Sequence, residues 1–237
     1  MQIIIDRKMP EKAKNTLSRF GSLIELATSG ITYEAISGHP DIFFFQAPSV
    51  LITAPNLPKE YFRILDENKI NYVLGNSPVG AKYPDTARYN AVSGGKFLIH
   101  NKDITEKEIL HHLKEKEILH VSQGYCRCSL LGLKGESFIT SDGGIYKALI
   151  KAGLNVLYVS ASDVMLPGLK HGFFGGACGL HDDKVFISGS LKNHPQHSEI
   201  KSFIQANGYE IVELCEGPLF DAGSIFFIDE VDFRKGK

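Results

Sequence analysis

Asp41, Asn90, Cys128, Cys178 and Ser224 recur along this 237-residue chain at intervals of about 40 to 50 residues, and each carries a side chain suited to chemistry. His39, Arg127, the Gly175-Gly176 pair and Asp221 stand beside them. Thiols attack when ionised, an imidazole titrates near neutral pH, carboxylates take cations, and glycines let a ligand approach the backbone. The set has the composition of a small-molecule site. Each member also has a plainer reading: Cys128 and Cys178 as core packing, Asp41 as a cap at a strand start, and Asp221 as a turn residue. His39, before Pro40, reads equally as a loop histidine bonded to backbone.

The elements that must position these residues repeat in the order strand, strand, helix, strand. The clearest copy has strands at Cys128 to Leu133 and Ser137 to Thr140, a helix opening at Asp142-Gly143-Gly144, and a strand from Asn155 to Val159. An earlier copy runs Asp41 to Gln46, Val50 to Ala54, a helix from Pro58 to about Asn68, and Asn71 to Leu74. The next runs Tyr89 to Val92, Lys96 to His100, a helix from Thr105 to about Glu117, and Ile118 to Val121, with Thr105 and Glu108 forming an S/T-x-x-E cap. A fourth runs Gly175 to Leu180, Lys184 to Ser188, a helix from Pro195 to Asn207 stopped by Gly208, and Glu210 to Leu214. Ser224 to Ile228 supplies the first strand of a fifth copy. The N-terminus completes it with Gln2 to Ile5, a helix from Pro10 to about Phe20, and Ser22 to Leu26.

Joining both ends in one unit closes a ring and removes the exposed end of an open array. The length fits one domain over 1–237. A net charge of −1 offers no basic excess for nucleic acid or anionic lipid. No apolar run approaches the ~20 residues of a membrane span, and the first residues lack the pattern of a secretory signal. Four cysteines without a dense framework suit a reducing cytoplasm. The loops Gly75 to Ala87 and Ser160 to Phe174 are long enough to be lids or site walls.

Five ββαβ units with shared termini resemble the pentein fold, the five-bladed α/β-propeller of the guanidino-group-modifying enzymes, whose units surround a pseudo-fivefold axis. The segments Gly38-His39-Pro40-Asp41, Gly172 to Gly176 and Phe220 to Ser224 resemble, in addition, a bacterial group of that fold with no assigned activity. The resemblance implies that first-strand starts converge on one axial mouth. It also implies a cysteine nucleophile, a histidine that moves protons, and carboxylates that grip a guanidinium through its fork of donors. On that basis Cys128 or Cys178 is the expected nucleophile and His39 the proton shuttle. Asp41, Asn90, Gly175, Gly176, Asp221 and Ser224 are the expected substrate-binding residues.

The chain departs from the family at the first strand of the last unit, where the enzymes carry their cysteine and this sequence reads Ser224-Ile225-Phe226-Phe227-Ile228. Three readings follow. One is a thiol-dependent amidinohydrolase acting on a guanidino or amidino compound in an axial pocket. Another is a catalytically silent pentein that binds a small ligand or a protein partner. The third, a zinc site from Cys126, Cys128, Cys178 and His181, has unsuitable spacing, so no metal and no cofactor is expected. Phosphate-loop and dinucleotide motifs are lacking. His111, His112 and His120 read as surface, and His194 and His197 as structural residues near a helix start.

Overall fold

Runs of Ile, Leu, Val and Phe separated by turn residues pair, in the computed structural model, as five three-stranded sheets of one repeated order. The structure describes residues 1–47 and 50–229. The chain begins with β1 (Gln2–Asp6), α1 (Glu11–Leu17) and β2 (Ser22–Leu26). The second segment has a one-turn helix α2 (Pro40–Phe43), then β3 (Phe44–Ala47), β4 (Val50–Thr53), α3 (Lys59–Glu67) and β5 (Val73–Leu74). The third has β6 (Val92–Gly94), β7 (Phe97–His100), α4 (Lys107–His112) and β8 (Glu117–His120). Next come a one-turn helix α5 (Cys126–Ser129), β9 (Leu130–Leu133), β10 (Ser137–Thr140), α6 (Gly143–Lys151) and β11 (Asn155–Tyr158). After the short β12 (Val164–Met165), the last full unit has β13 (Cys178–His181), β14 (Lys184–Ile187), α7 (His197–Ala206) and β15 (Glu210–Glu213). The chain then passes through β16 (Leu219–Phe220) and β17 (Phe226–Ile228).

In each sheet the first strand is antiparallel to the second, and the second is parallel to the third across its helix. The two chain ends share one sheet, β17 running antiparallel to β1 and β1 parallel to β2. First strands of neighbouring units touch: β3 with β6, β6 with β9, and β13 with β17 through Gly179 and Ile225. Between β3 and β17, Gln46 Nε2 donates to the Phe227 carbonyl at 2.6 Å. β12 and β16 form a separate parallel ribbon that ties the Ser160 to Phe174 loop beside Asp221.

The helices show why these segments fold as they do. Tyr61 and Leu65 on α3, Ile145 and Leu149 on α6, and Ile200 and Ile204 on α7 are each four residues apart, one helical stripe, and all are buried. Asp142 accepts from the Ile145 amide at 2.7 Å and caps α6, and Gly208 at φ +78° ends the turn after α7. Ile3, Ile4 and Ile5 are all fully buried because both faces of β1 are covered.

Two local expectations are corrected. Asp41, Cys128 and Gly175 do not begin strands: Asp41 and Cys128 lie on α2 and α5, and Gly175 opens a 3-10 turn over Gly175–Ala177. A single turn is too short to show a helical period. The cap of α4 is Glu106, whose carboxylate accepts from Glu108 N at 2.5 Å. Thr105 is engaged elsewhere, with its hydroxyl 2.8 Å from buried His100 Nδ1 and donating to the Asn101 carbonyl.

Candidate functional site

Three buried ionisable side chains meet at the floor of a cleft of about 540 Å³. Asp6 ends β1, His39 precedes α2, and Asp221 follows β16. His39 Nε2 lies 3.7 Å from Asp6 Oδ2, and His39 Nδ1 lies 3.9 Å from Asp221 Oδ1. Neither gap is a direct hydrogen bond. Asp221 is fixed by backbone amides, with Phe173 N at 2.9 Å on Oδ2 and Gly223 N at 3.0 Å on Oδ1. Asp6 Oδ1 accepts from Lys8 N at 2.7 Å, whereas its buried Oδ2 has no partner among the described residues. Tyr33 and Leu166 to Leu169 form part of the wall, so the long loop Ser160 to Phe174 borders the site.

The approach of these groups depends on glycine. A Cβ at Gly38 would strike the Asp6 carboxylate, one at Gly176 the Asp221 carboxylate, and one at Gly223 the His39 side chain. Gly223 also has φ +65°, a conformation that favours glycine.

Burial dominates the electrostatics. It raises Asp6 to about 6 and Asp221 to about 7, the latter with help from the Asp41 charge. The same burial lowers His39 to about 3, so its imidazole is neutral at pH 7.

Behind the cleft lies a second polar cluster, sealed from solvent. Ser224 Oγ donates to Asp41 Oδ2 at 2.9 Å, and Asp41 Oδ1 has no partner among the described residues. Burial raises Asp41 to about 6, against the opposing pull of Arg127 and the hydrogen bond from Ser224. Asn90 Nδ2 donates to the Asp41 carbonyl at 3.0 Å, while its Oδ1 accepts from Arg127 N at 2.7 Å and Cys128 N at 3.3 Å. Asn90 thereby satisfies free amides of α5 and ties it to α2. Ser224 sits at φ +71°, an uncommon conformation for a residue with a side chain.

The two candidate thiols lie outside the cleft lining. Cys128 Sγ points at Asn90 Oδ1 (3.7 Å) and the Tyr125 carbonyl (3.5 Å), both acceptors, so it acts as a protonated donor. Burial and the Asp41 and Asp221 charges push its pKa well up, and the Arg127 guanidinium offsets this least. Cys178 is fully buried among Leu131, Ile139 and Ile187, with its pKa raised to about 12 by burial. Arg127 donates to the Gly175 carbonyl at 3.2 Å and the Cys178 carbonyl at 3.3 Å, so its terminal nitrogens are engaged with backbone rather than with a thiol.

The structure therefore gathers Asp41, Asn90, Cys128, Gly175 and Ser224 into the sealed cluster, and His39 and Asp221, backed by Gly176, into the cleft. Cys178 joins neither with its side chain. Asp6 was not among the sequence candidates, because it ends an apolar run and its partner His39 lies 33 residues on. Among the described residues, no three His, Cys, Asp or Glu side chains are arranged to hold a metal ion, and no helix is long and apolar enough to cross a membrane. All four cysteines are free thiols.

Comparison with solved structures places the fold. An amidinotransferase of saxitoxin biosynthesis from Microseira wollei superposes with a TM-score of 0.50 at 10% identity, over 90% of this chain and 87% of that one. DDAH from Pseudomonas aeruginosa, complexed with citrulline, gives a TM-score of 0.53 at 8% identity, over 90% and 91%. Agmatine deiminase from C. jejuni gives 0.56 at 9% identity, over 90% and 86%. These enzymes share the pentein fold, and the likeness is one of fold. No curated protein matches the sequence significantly. The match that does reach across the sequence is to a family model covering residues 4–226, and by it the chain belongs to DUF6873, a family of unknown function.

Proposed function

We propose that this pentein-fold chain binds a small guanidino or amidino compound in the cleft floored by Asp6, His39 and Asp221, and does so without thiol chemistry. We read the five three-stranded sheets as the blades of a single α/β-propeller domain around a pseudo-fivefold axis. The contacts between successive first strands support that reading. The observation that carries the function is the separation of parts. The carboxylates face the cleft, while Cys128 and Cys178 are buried, protonated and outside its lining. Solved neighbours of the same fold include DDAH complexed with citrulline and an agmatine deiminase with substrate bound, which supports a small amidino-type ligand here. Free thiols suit the cytoplasm as its location.

The test is a thermal-shift and calorimetric screen of the full chain with agmatine, arginine and guanidinium, run beside an assay for released ammonia and urea. Binding without turnover is the expected result. Turnover that iodoacetamide abolishes would overturn it in favour of an amidinohydrolase using Cys128 or Cys178, with His39 as proton shuttle.

A further inference from the structure

We propose that Asp6, His39 and Asp221 form a proton-exchanging seat: the empty cleft retains a proton on this cluster, and an N–H-bearing organic cation is bound in exchange for it. The inference rests on the reading of the cleft as a small-cation site, and adds how the charge is balanced and which cations qualify.

Asp6 and Asp221 are each 1% exposed and flank a His39 that is 3% exposed. Two buried carboxylates without a counter-ion are costly, and they relieve the cost by holding a proton. Among the described residues no lysine or arginine lies within ion-pair distance of either one. Lys8, on the rim, is paired with Glu34 at 2.7 Å and also donates to Ser37 Oγ. Lys14, which acts on Asp6 from α1, is held by Glu11 and Glu25. Arg127 is turned to two carbonyls, and Asp41 and Glu34 add repulsion from behind and from the rim.

Geometry then locates the exchange. Burial disfavours a charge on His39 and on each carboxylate alike, and a proton on carboxyl oxygen removes a negative charge from the floor without adding a positive one to the imidazole. Among the described residues, Asp6 Oδ2 is the one carboxylate oxygen of the pair without a hydrogen-bond partner, and this buried oxygen belongs to a residue that lines the cleft. A cation that donates an N–H to this oxygen takes the proton's place. The proton leaves to solvent, no covalent bond changes, and the net charge of the floor is preserved. Amidinium, guanidinium and primary ammonium groups qualify. A quaternary ammonium ion has no N–H and does not.

Calorimetry of the full-length protein with agmatine at pH 6, in two buffers of different ionisation heat, tests the exchange. Release of up to one proton per ligand is expected, with affinity rising about tenfold per pH unit below pH 6 and levelling above pH 7. Asp6→Asn, which keeps an acceptor for Lys8 N, should weaken agmatine binding and reduce the proton release to the share carried by Asp221, and tetramethylammonium should not compete. Agmatine binding with buffer-independent heat and flat affinity from pH 5 to 8 would overturn the exchange and leave the cation reading standing. No binding by any N–H cation at any pH would overturn both. Carboxyl infrared spectra of the ligand-free protein give a separate readout: a protonated band at pH 5 that weakens in Asp6→Asn is expected, and full ionisation of both carboxylates at pH 5 refutes the retained proton.

Discussion

Ser224 Oγ donates to Asp41 Oδ2 across 2.9 Å, joining two residues 183 positions apart in the chain. Ser224 is fully buried with its hydroxyl committed. The pair binds the one-turn helix α2, just before β3, to the segment just before β17. Its position makes it a structural clasp behind the cleft, with one oxygen of Asp41 left without a partner among the described residues.

That clasp should show itself in pH dependence. Asp41 is raised in the folded state to about 6 from 3.8, so the native protein binds the extra proton between these values. The contribution is stabilising below pH 3.8 and is lost as pH rises through 6. Asp41→Asn keeps an acceptor for Ser224 and removes the titration. Thermal melts should find the variant gaining on the wild type by on the order of 2 kcal/mol between pH 4.5 and 8. A constant difference across that range would rule out the raised pKa.

Glycine contacts give a paired prediction. Gly176→Ala pushes a methyl into the Asp221 carboxylate, which is held by two backbone amides and cannot retreat. Denaturant unfolding should show a loss of at least about 2 kcal/mol. Gly143→Ala meets nothing within 4 Å at the first position of α6 and should gain a few tenths to about 1 kcal/mol. Equal effects at the two positions would discredit the close packing at Asp221.

The repeat order was readable because each second strand, helix and third strand carries its own period and stops, as the buried pairs Ile145/Leu149 and Ile200/Ile204 illustrate. Aligning the repeats set Asp41, Asn90, Cys128, Cys178 and Ser224 at comparable positions around one open mouth; the structure joins four of them in a buried cluster instead and leaves the Cys178 side chain out of it. The one-turn helices α2 and α5 were invisible, since four residues hold no periodicity and Cys128 to Leu133 reads as one strand. Asp6 was hidden for a different reason. Its role comes from Gly38 allowing close approach and from His39, both contacts distant in sequence that no local pattern records.

Thiol reactivity separates the candidate cysteines. Cys126, Cys128 and Cys178 are buried with their pKa values raised, and Cys215 alone is partly exposed. Mass spectrometry after brief iodoacetamide treatment at pH 8 should find label on Cys215 first, with the other three modified only on unfolding. Rapid labelling of Cys128 would mean that a thiolate is present in the folded protein.

Arg127 provides the last test, because it links α5 to β13. Its two terminal nitrogens reach the Gly175 and Cys178 carbonyls, and its guanidinium lies 5.8 Å from the Phe226 ring centre. A lysine ammonium can reach one of those carbonyls at a time and lacks the planar fork. Arg127→Lys should therefore cost about 1 to 2 kcal/mol and Arg127→Met about 2 to 4, since the latter strips both carbonyls of a charged donor. The methionine variant should also sharpen the case for Asp41, because the guanidinium is the charge that lowers the Asp41 pKa. With it gone, the stability gained by Asp41→Asn at pH 8 should grow, and a double-mutant cycle read by thermal unfolding measures that coupling. Strict additivity of the two substitutions would show that Arg127 and Asp41 do not sense each other's charge.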